Sequence, residues 1–98
     1  MSSPSYRTVL APKAKSEFHG WVLTREEQIG VLTRLLTELP ATPDRYLFEA
    51  IQKPNLWAYQ FELGARPHRR FFYFGVERRD YVGELWIVSA RLTHEAAE

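Results

Sequence analysis

The feature that most constrains this chain is a change of apolar period part-way along it. Between Thr24 and Pro40, apolar residues recur at steps of three and four; after residue 56 they recur at steps of two. The first period belongs to a helix with one buried stripe, the second to strands with one buried face. A chain carrying both must lay helices on a sheet.

The helical part reads most clearly. "TREE" places Glu27 three residues after Thr24, so each side chain can satisfy the other's exposed backbone N–H. Ile29, Leu32, Leu36 and Leu39 then form the predicted stripe, ending at Pro40, and "PATPD" reads as a loop. Gly30 costs about 1 kcal/mol relative to alanine in a helix interior, and the sequence offers no reason for it. Upstream, "YRTVL" suits a strand over Tyr6 to Leu10, and Pro12 opens a short helix in which Ala14, Phe18 and Trp21 recur at helical spacing up to an interruption at Gly20.

In the sheet part, Trp57, Tyr59, Phe61 and Leu63 alternate with Ala58, Gln60 and Glu62. Their apolar side is expected to bury Trp57, Tyr59 and Phe61 against Ile29, Leu32 and Leu36. "GARPH" is a turn, and Arg69 to Val76 is apolar on both faces, as in a central strand. "ERRDYVG" turns again into "ELWIVSARL". The expected fold is therefore α+β: one strand and two helices, then a three-stranded antiparallel meander, with the helices packed on one face of the sheet. With Phe71 and Tyr73 packed on the helices, Arg70 points to the open face.

Composition limits the function classes. At 98 residues, 45% hydrophobic and 26% charged, the chain makes a single domain over 1–98 and is not of disordered type. It has no cysteine, and His19 and His68 lack ligand spacing, so neither a metal nor another cofactor is expected. No signal peptide or membrane span is visible, so a cytoplasmic protein with no membrane partner is expected. The net charge is only +1, but from Gly64 to Tyr81 five arginines face two acids. Such a turn is more often a solvated hairpin than a phosphate site.

The segments "NLWAYQFELGARPHRRFFYF" and "IVSARLTHE", with the order of elements, resemble the RelE/ParE toxin superfamily, most closely its HigB or phage Gp49-like branch. Leu56-Trp57 begins the family pattern, Gly64 to Pro67 is its turn, and Arg70 with Tyr73 supplies its Arg-x-x-Tyr. The resemblance implies a toxin of a type II toxin-antitoxin module, a metal-independent endoribonuclease that cuts messenger RNA on the ribosome and inhibits translation. It implies that Arg70 and Arg91 hold the scissile phosphate, that His94 and Glu95 transfer protons, and that Lys53, Arg66, His68, Arg69 and Tyr73 bind RNA. It also implies partners: the ribosome with its message, and a small DNA-binding antitoxin, in a homodimer or a toxin–antitoxin heterotetramer.

Departures from the family keep two other readings open. Ala58 and Gln60 stand where relatives carry glutamate and arginine, Lys53 is the remnant of a lysine-rich segment, and the tail "HEAAE" lacks a closing tyrosine, with Ala97 in its place. A binding-only inhibitor of DNA gyrase or another replication protein needs no acid-base groups. Neither does a phage-derived protein-interaction module.

Overall fold

The computed structural model describes residues 6–49, 56–65 and 68–94. The elements are β1 (Arg7–Leu10), α1 (Pro12–His19), α2 (Arg25–Thr33), a π-helical segment (Arg34–Glu38), α3 (Leu39–Ala41), α4 (Pro43–Tyr46), β2 (Phe48–Glu49), β3 (Leu56–Leu63), β4 (Arg70–Arg79) and β5 (Glu84–His94). The strands form one mixed sheet in the order β1-β5-β4-β3-β2. The meander β3-β4-β5 is antiparallel as expected, while β1 runs parallel to β5. Among the described residues no helix is long and apolar enough to cross a membrane.

The reciprocal cap at the start of α2 forms: Glu27 N–H donates to Thr24 Oγ1 at 3.1 Å, and Thr24 N–H donates to Glu27 Oε1 at 3.0 Å. The end of the helix does not follow expectation. Leu39 N–H reaches back five residues to the Arg34 carbonyl, and the widened turn carries the helix past Pro40, whose nitrogen has no hydrogen to donate. "PATPD" is consequently not a loop: α3 and α4 run through it.

The buried stripe also differs from expectation. Val31, Leu35 and Leu39 are buried, whereas Ile29 and Leu36 are 55% and 50% exposed. The packing of Ile29 and Leu36 onto β3 is therefore corrected: in the regular part of α2 it is Gly30, not Ile29, that faces Leu63 of β3, and in the widened segment that follows a spacing of four stays aligned while the three-four stripe does not. Tyr59 still buries, edge-on to Tyr46, and Phe61 lies under the Arg34 guanidinium at 5.1 Å. Gly30 now has a reason, since a Cβ there would sit 3.3 Å from Leu63 Cδ1; the missing side chain lets α2 lie against β3.

One face of the sheet carries the core. Phe72, Phe74 and Val76 of β4 are buried beneath the helices, and Trp21 packs its ring 5.7 Å from Phe72 and 6.0 Å from Phe74. Thr8 Oγ1 donates to the Leu35 carbonyl, tying β1 to the same layer. Period two then assigns Arg70 and Arg78 to the covered face at either end of β4, and Phe71, Tyr73 and Gly75 to the open face. This inverts the expected phase of β4.

Both arginines clip strand to helices. Arg70 Nη1 donates to the Val22 carbonyl at 2.7 Å and to Glu27 Oε1 at 3.3 Å. Arg78 donates to Asp44 Oδ1 at 2.6 Å and Asp80 Oδ1 at 3.2 Å, with its guanidinium 5.0 Å from the Trp57 ring. Burial pulls the Arg78 pKa down, but hydrogen bonds to Asp44, Tyr6 and Asp80 outweigh it and leave it raised.

On β5 the alternation breaks. Gly75 faces Ser89 while Val76 faces Ile87, so Val88 is an extra residue bulged out of the ladder. Leu85 and Ile87 are buried before the bulge and Ala90 after it. The inserted residue flips the phase of everything that follows.

Candidate functional site

The bulge decides where Arg91 points. Were Val88 paired as an ordinary ladder residue, Ser89 and Arg91 would continue the buried phase of Leu85 and Ile87; with Val88 bulged out, both join the open face. There Arg91 stands across from Tyr73, and Tyr73 across from Gln60, making a row over three strands. Beside it runs a row of small residues, Ala58, Gly75 and Ser89. Gly75 leaves room for its neighbour: a Cβ there would lie 2.5 Å from Ser89 Oγ, so the serine hydroxyl, which now fills that space, would have to turn away.

Small residues beside long ones make a depression. It has a volume of about 340 Å³ and is lined by Ala58, Gln60, Tyr73, Gly75, Ser89 and Arg91, with Glu17 of α1 at its edge. Gln60 and Tyr73 form a ridge, beyond which Glu62 and Phe71 line a second depression of about 390 Å³. Tyr73 is 39% exposed, enough to offer a ring face to a planar ligand.

Charge on this face is uneven. Arg7 is paired with Glu84, Arg79 with Glu77 and Arg69 with Glu62. Arg79 also lies 4.2 Å over the Trp86 ring, and Trp86 Nε1 donates to Glu84. The hydrogen bond from Arg7, with a further one from Trp86, holds the Glu84 carboxyl below its ordinary pKa. Arg91 has no carboxylate within ion-pair reach among the described residues. Among the described residues it is an open-face cation left to meet an anion from outside.

The expected site residues divide. Arg91 and Tyr73 come together on the open face. Arg70 does not join them: its placement on that face is corrected, because its guanidinium is held by Val22 and Glu27 under the helices. His94 is exposed, pairs across from Arg70, and so belongs to the covered side. Arg69 stays near the open face with its guanidinium 5.5 Å over the Phe71 ring. His68 is exposed in the β3–β4 turn, its N–H donating to the Ala65 carbonyl. Lys53, Arg66 and Glu95 lie outside the described residues. Among those described, no three His, Cys, Asp or Glu side chains gather to hold a metal.

Glu17 escapes sequence reasoning, because nothing local marks it. β1 pairs with β5 only as far as Ile87, so beyond that point β5 turns an unpaired edge toward α1. Glu17 Oε1 accepts the Ala90 N–H there at 3.4 Å, one residue from Arg91. No family model matches the chain, and no curated protein or solved structure matches it either.

Proposed function

We propose that this protein is a toxin of the RelE/ParE type, a metal-independent endoribonuclease that cuts messenger RNA held on the ribosome and is neutralised by a small DNA-binding antitoxin. The observation that carries the reading is Arg91: an arginine without an ion pair among the described residues, beside an exposed tyrosine, above a floor of small side chains. Its planar fork suits a phosphate and keeps its charge, so it can stabilise the negative charge that builds on phosphorus during cleavage. Tyr73 supplies a stacking face for the neighbouring base, the usual means of holding single-stranded RNA. A net charge of +1 releases few counterions, so free RNA binds weakly and the ribosome must position the message.

The test uses purified protein and ribosomes programmed with a message and an open A site. Cuts in the message that vanish with Arg91→Ala, while free RNA stays intact, support the proposal. Growth arrest on expression with messages uncut would replace it with a binding-only role, directed at gyrase or another replication protein. One observation favours that second reading: Ile29 and Leu36 leave an apolar strip uncovered on the outer side of the helical layer.

A further inference from the structure

Cleavage at Arg91 requires a group to take the 2′-hydroxyl proton, and the described open face offers few. Glu62 is committed to Arg69 at 3.4 Å and lines the other depression. Glu77 and Glu84 are paired with Arg79 and Arg7 toward the far end of β5. His94 belongs to the opposite face. The carboxylate that lines the Arg91 depression is Glu17.

We infer that Glu17 is the general base of this site, an assignment that rests on the RNA-cleavage reading above. Its carboxylate accepts a long, weak bond from Ala90 N–H through Oε1 and has no ion pair among the described residues, so lone pairs remain to accept a proton. Ala90 precedes Arg91 in the chain, so the bond anchors the carboxylate at the rim of the depression that Arg91 also lines. In the step, the 2′-oxygen bonds to phosphorus as its proton passes to Glu17. The bond from phosphorus to the 5′-oxygen breaks, and solvent water protonates that oxygen. The products are a 2′,3′-cyclic phosphate and a free 5′-hydroxyl. Arg91 offsets the charge on the phosphoryl oxygens throughout.

A purely structural Glu17 would only cap the β5 edge. Glu17→Gln separates the two roles, since the amide oxygen still accepts the Ala90 N–H but the side chain is no longer basic. On programmed ribosomes we expect E17Q to lower the single-turnover cleavage rate by about 10² to 10⁴, with ribosome binding and melting temperature unchanged. Glu17→Asp, a carboxylate one methylene shorter, should restore part of the rate. E17Q cutting at the wild-type rate would overturn the assignment and leave the RNA-cleavage reading standing. Wild-type protein that leaves programmed messages whole would overturn both.

Discussion

Arg70 donates to the main-chain carbonyl of Val22 at 2.7 Å, fastening the start of β4 to the chain between α1 and α2. The same nitrogen reaches Glu27, which already closes the cap of α2. A change at Arg70 should therefore be felt as lost stability. Arg70→Ala is expected to cost about 1 to 2 kcal/mol, in keeping with hydrogen bonds to a charged, partly buried group. Arg91→Ala should cost less than about 0.5 kcal/mol yet abolish cleavage. Thermal melts of the two variants beside ribosome assays check the split, and equal melting temperatures would sink it.

Alkaline pH provides a second check. Burial pushes the Tyr59 phenol from 10.0 up to about 12, the Glu38 charge adds to the rise and Arg34 opposes it. A folded pKa above the unfolded value gives stability that is complete below pH 10 and is lost as the pH climbs to about 12. Relative to Tyr59→Phe, the wild type should lose about 2 to 3 kcal/mol across that window. Denaturant titrations of both proteins at pH 9 and pH 12 measure the difference.

The β3–β4 turn depends on Gly64, whose φ is +93° and whose added Cβ would approach the His68 carbonyl oxygen to 3.1 Å. Gly64→Ala should destabilise by about 1 to 2 kcal/mol, read as a lower urea midpoint with an unchanged slope.

Deleting Val88 tests the bulge. Without the extra residue, β5 pairs with β4 as a regular ladder in which Leu85, Ile87, Ala90 and Leu92 still face the core and Ser89 and Arg91 the open face, because excising a bulged residue restores strict alternation. We expect the variant to melt cooperatively, within about 3 kcal/mol of the wild type, and to keep cutting messages on programmed ribosomes. A deletion variant with no cooperative melt would show that Val88 is not a spare residue of the ladder.

These cases show why some of the molecule was legible in sequence and some was not. The Thr24–Glu27 cap and the alternation of Trp57 to Leu63 are local patterns, and both appear as read. "RFFYF" is apolar on both sides, so alternation alone supplies no phase; what orients it is Arg70 reaching Val22, 48 residues away. The widened turn before Pro40 and the bulge at Val88 each shift a periodic pattern midway, which a fixed period cannot register. Glu17 meets Ala90 across 73 residues and has no motif around it.

β1 finds its hydrogen-bonding partner in β5, along Arg7 to Leu10 against Glu84 to Ile87, with the rest of the fold lying between them in the chain. During synthesis the first strand therefore emerges long before anything can pair with it, and it stays unpaired until the last strand leaves the translating ribosome. Contacts this distant in sequence form slowly. The bulge and the arginine beyond it belong to that same last strand, so a cell making this protein would meet no armed intermediate. The domain would acquire its shape and its proposed chemistry in a single late event.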